Sequence, residues 1–500
     1  MRLYDVQQLR GVEAAYKGTH PAGTLMRAAG KAAAELAAQL LENRGDTVLV
    51  LAGPGDNGGD ACETAALLAA AGRQVTLLLC ANPERYSADA RASLRRAQAS
   101  VIAMAELHGW SELKSRPWAL LIDGLFGIGL TRPLGGELAK LVRELNQLSS
   151  QKNIPVLALD APSGLDADSG QALGKPGLAV RASHTLSFIG NKPGLHTGAG
   201  KDWAGLVAVT DLAIPEQLLP PAQAELIDPP QFAAALPPRT HDSHKGSYGD
   251  VIVLGGAPGM AGAAILAGRS ALHAGAGRVY LGFIAEPPAY DSRHPELMCR
   301  AALDLEFSRA VLVIGPGMGS SAIARQLLAQ ALATAPGMVI DADALTLIAG
   351  DSHLQHLLAQ RAAPTLLTPH PLEAGRLLGK DVQEIQGDRL GSARKLAKKF
   401  HAIVVLKGSG SVICRPDGHI SINPSGNPGL ASAGTGDVLA GLCGALLAQK
   451  IAPWTTAQMA AWVHGHAADS LVQRQGGTVG LTASELPAAI RTCLNRLAAA

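Results

Sequence analysis

Short apolar runs recur along this chain, and each is followed by a loop rich in glycine and aspartate. The first clear run, 47–52, leads into Gly-Pro-Gly-Asp-Asn-Gly-Gly-Asp at 53–60. A helical stretch at 61–72 and a second apolar run at 74–79 follow. Strand, helix and strand in this order form a βαβ unit, which implies a parallel sheet with ligands at the carboxyl ends of its strands. The chain is therefore predicted to be an α/β protein.

Three predicted strands in the first half end in loops that carry polar side chains. These strands are 47–52, 118–122 and 155–159, and a fourth is expected at 185–189. In a parallel sheet the loops converge on one edge. Their oxygen atoms suit a hard cation or general acid–base chemistry, although such aspartates also serve as Asx-turns and helix caps. The side chains concerned are Asn57, Asp60, Asp123, Asp160, Ser163 and Asp166.

The first of these loops has the spacing of a dinucleotide fingerprint, Gly53-x-Gly55-x-x-Gly58. The spacing alone is also consistent with a plain tight turn. An acidic residue usually ends the next strand of a dinucleotide-binding fold, but here Leu79 is followed by Cys80. The sequence therefore disfavours an ordinary hydride-transferring Rossmann enzyme.

A proline-rich stretch divides the chain. Residues 215–238 contain seven prolines, including three Pro-Pro pairs, and neither a helix nor a central strand tolerates this density. A chain of 500 residues is long enough for two domains. We therefore expect one domain at 1–218, a linker at 219–239 and a second domain at 240–500.

The second half again alternates strands with glycine-rich loops. Asp417-Gly418 indicates a hairpin turn, a helix is expected near 383–400, and two helices close the domain. The expected strands are 251–254, 311–314, 338–340, 365–367 and 402–407.

The glycine-rich loop at 423–437 most directly indicates chemistry in this half. It opens the run 438–448, which is apolar on every side and so predicts a buried helix. Free N–H groups at such a helix start favour a bound phosphate. Asp437 is either the N-cap of this helix or a base that deprotonates a hydroxyl group during phosphoryl transfer.

Two further features of this half fit a phosphorylated ligand. The loop at 407–411, Lys-Gly-Ser-Gly-Ser, offers backbone amides and hydroxyls after a strand, but its lysine precedes the glycines, unlike that of a Walker loop. His370 lies between two prolines at a strand end, and Glu373 is a candidate cap for the helix that follows.

Charge and cysteine content exclude several classes of protein. The formal net charge of +2 gives no electrostatic basis for binding nucleic acid or an anionic membrane. The six cysteines lack the paired spacing of zinc sites or disulfide frameworks, so a cytoplasmic protein is expected. The N-terminus lacks the apolar core of a signal peptide, and no apolar run reaches the roughly 18 residues needed to span a bilayer.

Taken in order, short motifs along the chain resemble those of a known family. The first group is similar to the NAD(P)H-hydrate epimerase domain, a Rossmann-like three-layer α/β/α sandwich; it comprises 53–60, 123–130, 160–166 and Lys192-Pro-Gly194. The second group resembles the ADP/ATP-dependent NAD(P)H-hydrate dehydratase domain, a ribokinase-like α/β fold; it comprises 243–246, 315–319, 341–345, 368–371, 407–408 and 434–437. Together they resemble the bifunctional NAD(P)H-hydrate repair enzymes over nearly the whole chain.

For the first domain, the resemblance implies interconversion of the R and S epimers of hydrated NADH and NADPH. This requires proton transfer near C6, for which Asp160 is the expected acid–base group. Asn57, Asp123 and Ser163 would hold a potassium ion. The residues expected to contact the hydrated dinucleotide are Asp56, Asn57, Gly58, Gly59, Asp60, Gly127, Ile128, Gly129, Leu130, Thr131, Arg132, Pro133 and Asp160.

For the second domain, the resemblance implies dehydration of the S epimer while ADP becomes AMP and phosphate, with magnesium on the phosphates. Asp437 is the expected base, and Gly262, Gly317 and His370 would line the hydrate site with it. The residues expected at the nucleotide are Lys407, Gly408, Ser409, Gly410, Ser411 and Gly436. The resemblance also implies a homo-oligomer, for which a tetramer is one candidate.

The chain departs from the family pattern in its first loop, where Asp56 and Ala61 replace the more frequent Asn and Gly. Asp56 adds negative charge near the expected dinucleotide phosphates, so its side chain should face away from them or towards the cation. Leu372 also stands where Gly is frequent, a change expected to affect helix packing only.

The residues alone leave two alternatives open. A ribokinase-like kinase acting on a vitamin-precursor alcohol, fused to a nucleotide-binding module, would explain the loop at 434–437 but not the first half. A first half that only senses nucleotides or binds a partner would leave Asp160 and the cation loops without a role.

Overall fold

The computed structural model describes residues 1–100 and 102–499. The chain forms two compact units, one of Arg2–Gln223 and one that begins at Ala224. Within the described residues, no helix is both long enough and apolar enough to cross a membrane.

The first unit is built on a parallel sheet. Its strands are β1 (Arg2–Leu3), β2 (Thr47–Ala52), β3 (Gln74–Leu79), β4 (Ala103–Glu106), β5 (Leu120–Gly124), β6 (Val156–Leu159), β7 (His184–Phe188) and β8 (Leu206–Thr210). Its helices are α1 (Val6–Lys17), α2 (Thr24–Leu40), α3 (Asp56–Ala70), α4 (Ala88–Ala99), α5 (Trp110–Leu113), α6 (Gly136–Lys152) and α7 (Gly200–Ala204). Seven of the strands form one sheet in the order β4-β3-β2-β5-β6-β7-β8, and every pairing in it is parallel.

Helices cover both faces of this sheet because alternate residues of each strand point to opposite sides. Val48 and Val50 of β2 belong to the core formed with α1–α4. Leu49 and Leu51 belong to the core formed with α5 and α6. The predicted three-layer α/β/α sandwich is confirmed.

Glycine placement explains where the observed helices differ from the predicted ones. The alanine-rich stretch from residue 8 to about 43, whose sequence predicts helix throughout, forms two helices, α1 and α2, separated by a turn in which Gly23 has φ +73°. α3 begins at Asp56 rather than at residue 61, so the second half of the expected loop 53–60 is helical. A Cβ on Gly58 would stand 2.0 Å from the Gly53 carbonyl oxygen, so close packing requires glycine there.

The second unit is a larger, mixed sheet with helices on it. Its strands are β9 (Ala224–Leu226), β10 (Asp250–Gly255), β11 (Arg278–Phe283), β12 (Met298–Ala301), β13 (Val311–Ile314), β14 (Met338–Ile340), β15 (Thr365–Leu367), β16 (Ile403–Leu406), β17 (Val412–Cys414) and β18 (Ile420–Ile422). Its helices are α8 (Ala261–His273), α9 (Ala322–Thr334), α10 (Ala342–Ala349), α11 (Ser352–Ala359), α12 (Pro371–Leu378), α13 (Val382–Gly387), α14 (Arg389–Phe400), α15 (Thr435–Ala448), α16 (Pro453–Gln475) and α17 (Leu486–Ala499).

The strands of this unit are ordered β9-β18-β17-β16-β15-β14-β13-β10-β11-β12. Only β17 pairs antiparallel, with β16 and with β18, which confirms the predicted hairpin turn at Asp417-Gly418. The apolar helix α15 is buried as expected and packs against α8. A Cβ on Gly441 would stand 2.0 Å from the Ala267 carbonyl oxygen, so the two helices touch through glycine.

The proline-rich stretch differs from the expected linker at 219–239. Residues 224–226 form β9, which pairs in parallel with β18, and Phe232 is buried in the core of the second unit with 1% exposure. No proline lies within 224–226, so these residues keep the N–H groups that a strand needs. The prolines flank the strand instead of preventing it.

Candidate active sites

A cavity of about 850 Å³ lies at the carboxyl ends of the strands in the first unit. It brings together the three loops that the sequence places after β2, β5 and β6. The expected residues that line it are Asp56, Asn57, Asp60, Gly127, Ile128, Gly129, Leu130, Thr131, Arg132 and Asp160. Among the described residues, Gly58, Gly59 and Pro133 lie outside this lining.

Asp160 follows β6 with φ +66°, in the left-handed region that residues other than glycine rarely adopt. Its N–H donates to the Leu186 carbonyl oxygen at 2.8 Å. Its Oδ2 accepts from the Ile128 N–H at 3.1 Å, and its Oδ1 lies 2.7 Å from the Lys192 Nζ. Contacts with two other loops thus hold a strained backbone in place, as is common at active sites.

Of the three residues expected to bind a cation, Asn57 lines this cavity, whereas Asp123 and Ser163 lie outside its lining. Asp123 is fully buried and accepts from the Ser163 N–H at 2.8 Å and from the Ser163 Oγ at 2.7 Å. Burial raises the pKa of Asp123 to about 6 against these hydrogen bonds. Asn57 donates to the Leu159 carbonyl oxygen at 3.2 Å, while its Oδ1 is buried without a hydrogen-bond partner in the described structure.

An orphaned buried carbonyl oxygen calls for a partner, and a hard cation with oxygen ligands would supply one. Within residues 1–100 and 102–499, no group of three or more His, Cys, Asp or Glu side chains is placed to hold a metal. The amide, hydroxyl and carboxylate oxygens of Asn57, Ser163 and Asp123 therefore fit an alkali cation better than a transition metal.

Asp56 and Asp60, in the first two turns of α3, have different surroundings. Asp56 lies 3.2 Å from the Lys17 Nζ and accepts from the Ser87 Oγ at 2.9 Å. Its charge is thus directed to Lys17, and the extra carboxylate is compensated locally. Asp60 is half-buried, and burial together with the nearby Asp160 carboxylate raises its pKa well above its ordinary value. Asp60 therefore tends to hold a proton.

Positive charge reaches the cavity from α1 and from the loop after β5. Arg10 and Arg132 both line it. A Cβ built on Gly129 would stand 3.5 Å from the Arg10 Nη2, which places this guanidinium against the glycine loop. An arginine beside exposed backbone amides favours an anion such as phosphate.

Charged side chains also meet in the second unit, at the ends of β14 and β16. The Lys407 Nζ lies 2.6 Å from the Asp341 Oδ1 and 4.0 Å from the Glu373 Oε2. Asp341 is 1% exposed, so this is a buried ion pair. A Cβ on Gly436 would stand 3.3 Å from the Lys407 Nζ, so the ammonium adjoins the start of α15.

Asp437 lies in the first turn of α15 but does not cap it. The N-cap is Gly434, with φ +87° and no side-chain hydrogen bond, so the capping alternative is wrong. Burial, and then the nearby Asp341 carboxylate, raise the pKa of Asp437 to about 7, against the opposing effect of Lys407. A carboxyl group that titrates near neutrality suits general base catalysis.

His370 and Glu373 cap the start of α12 together. The His370 Nδ1 accepts from the Leu372 and Glu373 N–H groups, and the Glu373 Oε2 accepts from the His370 N–H at 2.7 Å. The predicted cap role of Glu373 is confirmed. Burial lowers the pKa of His370, and burial raises that of Glu373 to about 7.

Hydrogen bonds link the glycine-rich loops that are expected to form the hydrate site. The Gly317 carbonyl oxygen, in a turn with φ +58°, accepts from the Ala257 N–H at 2.7 Å, and the Asp343 Oδ2 accepts from the Gly319 N–H at 2.8 Å. Gly262 is the second residue of α8, and a Cβ there would meet no atom within 4 Å, so it faces open space.

A buried arginine donates hydrogen bonds to the start of the loop that is expected to bind the nucleotide. Gly408 and Gly410 have φ of +132° and +57°, which turn the loop sharply. Arg389 is 1% exposed and donates to the Leu406 and Lys407 carbonyl oxygens, each at 3.2 Å. Ser409 and Ser411 lie on the same loop, and the Ser411 Oγ donates to the Gly408 carbonyl oxygen at 3.1 Å.

Comparison with known proteins covers both units. The NAD(P)H-hydrate dehydratase family matches residues 251–491, and the family described as YjeF-related protein N-terminus matches residues 22–194. The chain is 36% identical to the bifunctional NAD(P)H-hydrate repair enzyme Nnr of Escherichia coli, over 89% of this chain and 85% of that protein. It is 34% identical to the protein of the same name from Coxiella burnetii, over 99% of both. The chain belongs to the family of bifunctional NAD(P)H-hydrate repair enzymes.

Membership of the repair-enzyme family decides between the alternatives that the residues left open. Single relatives match the chain across both halves, which neither a fused kinase nor a non-catalytic first half explains. The chain is also similar to a solved ADP/ATP-dependent NAD(P)H-hydrate dehydratase from Bacillus subtilis, co-crystallized with ATP and Mg²⁺. That likeness has 30% identity and a TM-score of 0.47, covering 55% of this chain and 98% of the other.

The sequence did not predict a separate role for four residues at these two sites. Lys192 and Asp341 belong to short motifs, and nothing in the residues next to Arg10 and Arg389 marks these two arginines. A lysine and its aspartate partner lie far apart in the chain, 32 positions for Lys192 and Asp160. Sequence spacing therefore does not identify such a pair.

Proposed function

We propose that the first unit is the epimerase and that Asp160 and Asp60 transfer its protons. In the hydrate, C6 carries both the hydroxyl group and the ring nitrogen. Asp160 takes the hydroxyl proton as the C6–N bond opens to an aldehyde, and Asp60 gives a proton to the nitrogen. Reclosure on the opposite face of the aldehyde reverses both transfers and gives the other epimer. The single observation behind this assignment is that both carboxyl groups line one cavity.

The dinucleotide would lie along the same cavity. Its phosphates would meet the glycine loop at 127–132 and the Arg10 guanidinium. Asn57, Asp123 and Ser163 would hold potassium. Its positive charge would balance the negative charge of the carboxylates at this site. The unpartnered Asn57 Oδ1 supports this ligand set.

The second unit would be the dehydratase, with Asp437 as its base. Water is a poor leaving group, so the hydroxyl must first be activated. Asp437 takes the C6 hydroxyl proton, and the oxygen attacks the terminal phosphoryl group of ADP, releasing AMP. The C6–O bond then breaks as the ring nitrogen lone pair moves in, and loss of a C5 proton completes NADH or NADPH with release of phosphate. The raised pKa of Asp437, about 7, supports this role.

Backbone amides and cations would stabilise the phosphoryl group in transfer. The amides of residues 434–436 and the Lys407 ammonium adjoin Asp437. The loop at 407–411 and Gly436 would bind the nucleotide, and Gly262, Gly317 and His370 would line the hydrate. Magnesium would enter with the nucleotide phosphates, which supply most of its oxygen ligands, near the carboxylates of Asp341 and Glu373.

Exchanging one carboxylate at a time tests both assignments in the same chain. Asp437→Asn should lower dehydration by about 10²–10⁴-fold and leave epimerisation unchanged, whereas Asp160→Asn should do the reverse. Epimers are separated by chiral chromatography, and dehydration is followed by the return of nicotinamide absorbance with ADP or with ATP. Dehydration at the normal rate in Asp437→Asn would falsify the base assignment.

The compartment and assembly belong to the same proposal. All six cysteines are free and buried, which suits a reducing compartment such as the cytoplasm. The repair enzyme would act as a homo-oligomer, and light scattering of the purified chain distinguishes a tetramer from a monomer.

A further inference from the structure

Lys192 is the most completely buried cation of the first unit's site, with 0% of its side chain exposed. An isolated ammonium group in such surroundings is strongly unfavourable unless paired and hydrogen-bonded. Its Nζ has four oxygen neighbours: the Asp160 Oδ1 at 2.7 Å, the Ser187 Oγ at 2.7 Å, the Phe188 carbonyl at 3.1 Å and the Gly190 carbonyl at 3.3 Å.

These neighbours match an ammonium group at Lys192. The Ser187 Oγ donates its own hydrogen to the Gly190 carbonyl oxygen at 2.8 Å, so it accepts from the Lys192 Nζ, as the Phe188 carbonyl oxygen does. An ammonium group has a third N–H, which faces the Asp160 Oδ1. The Asp160 carboxylate is the counter-ion of this buried ammonium group.

The same contacts set the direction of Asp160. One carboxylate oxygen, Oδ1, faces the ammonium and also accepts from the Phe188 N–H at 3.4 Å. The other, Oδ2, accepts from the Ile128 N–H and would lie 2.8 Å from a Cβ on Gly127, on the wall of the cavity. The ammonium therefore occupies one oxygen and leaves the other toward the ligand.

We propose that Lys192 is the positioning residue of the epimerase, which holds the Asp160 Oδ1 and so aims the Asp160 Oδ2 at the hydroxyl proton. This rests on the proposed role of Asp160. Lys192 would not touch the hydrate, because its side chain has no exposed surface. Its loss should therefore lower kcat and leave KM nearly unchanged, since misplacing a reacting group by about 1 Å can cost roughly 10²-fold in rate.

The test compares Lys192→Met, Asp160→Asn and the double variant in the full-length chain. Lys192→Met should lower the epimerase kcat by about 10–100-fold with KM within about threefold. In the Asp160→Asn background the same change should lower the residual rate by less than about twofold, because the two residues act as one unit. Lys31→Met, at a lysine with a 74% exposed side chain, is the matched control.

Dehydratase activity of each preparation reports on the second unit, and thermal unfolding reports on the fold of the first. If Lys192→Met does not fold, Lys192→Gln, which keeps two N–H donors without the charge, carries the same expected loss. A kcat within about twofold of the parent chain in a folded Lys192 variant overturns the proposal, as does a loss in the Asp160→Asn background as large as in the parent. Full epimerase activity in Asp160→Asn instead refutes the proposed role of Asp160.

Discussion

Each unit buries a lysine against an aspartate, but the two sites use this pair differently. In the first unit Lys192 pairs at 2.7 Å with Asp160, the carboxylate that faces the cavity. In the second unit Lys407 pairs at 2.6 Å with Asp341, and Asp437 has no hydrogen-bonded partner among the described side chains. The same two residue types thus pair directly with the carboxylate proposed to react in the first unit, whereas in the second unit the proposed base, Asp437, lies near the lysine without an ion pair of its own in the described part of the chain.

This difference assigns different chemistry to the two carboxylates. A carboxylate paired with an ammonium is fixed in direction, which suits repeated proton exchange with the hydroxyl group on C6. A carboxylate left in a partly buried site beside another negative charge holds its proton more strongly, and the pKa of Asp437 is raised to about 7. Such a group is a stronger base once deprotonated.

The largest effect is expected from breaking the ion pair of the second unit. Lys407→Met leaves the buried Asp341 without its counter-ion, which should lower the free energy of unfolding by about 3–5 kcal/mol. Dehydration should be lost with it, while epimerisation is retained. Calorimetry and both activity assays check this, with Lys398→Met on the exposed face of α14 as control, expected within about 0.5 kcal/mol of the parent. An unchanged unfolding transition would show that the pair contributes nothing.

The pH dependence of dehydration sharpens the contrast between the two carboxylates. Asp437 must be deprotonated to accept a proton, and its pKa is raised to about 7. The rate should therefore fall by about tenfold for each pH unit below about 7 and level off above it. Initial rates at saturating ADP measure this, and epimerisation in the same samples reports that the chain stays folded. A flat rate down to about pH 5 contradicts the assignment.

A substitution of Arg10 tests whether the first site binds the dinucleotide through an exposed cation, in addition to its buried lysine, Lys192. Arg10→Met removes the guanidinium beside Gly129 and should raise the epimerase KM by about 5–10-fold with little change in kcat, because the lost contact binds substrate and transition state alike. The rise should shrink at high salt. Arg95→Met, on α4 and outside the cavity lining, is the control. An unchanged KM would place the dinucleotide phosphates elsewhere.

The smallest effect is expected on the stability of the folded chain, which the ionised Asp437 lowers. Its pKa is raised in the folded chain from 3.8 to about 7, so the folded state binds the proton more strongly than the unfolded state. The contribution of protonated Asp437 to the free energy of unfolding is therefore fully present below about pH 4. It is lost as the pH rises through 7. Asp437→Asn should raise the melting temperature by a few degrees, about 2–4 °C, at pH 8 and leave it unchanged near pH 4. Equal melting temperatures at pH 8 would contradict the raised pKa.

Local pattern was enough to predict much of the fold. The runs 47–52, 74–79, 311–314, 338–340 and 365–367 are strands with the predicted bounds. They are short and mainly apolar, a pattern typical of buried parallel strands. The edge strands β4, β8 and β12 were not predicted, since strands at a sheet edge are partly exposed and lack that pattern.

In the proline-rich segment, the local sequence did not predict the structure. The high density of proline predicts a linker, but three residues of the segment that are not proline form strand β9. Whether three such residues form a strand depends on the neighbour that offers hydrogen bonds, here β18, which is nearly 200 positions later in the chain. Similarly, glycines at 58 and 59 predict a loop but belong to a helix that packs closely.

By itself the sequence determined the two α/β halves and the converging loops, because each depends on residues close together in the chain, and its motifs singled out Asp160 and Asp437 as candidates for catalysis. Only the tertiary structure decided which charges meet. Lys192 reaches Asp160, and Lys407 reaches Asp341 rather than Asp437. These pairings depend on burial and distance across the folded sheet, since an ion pair becomes strong only where water is excluded.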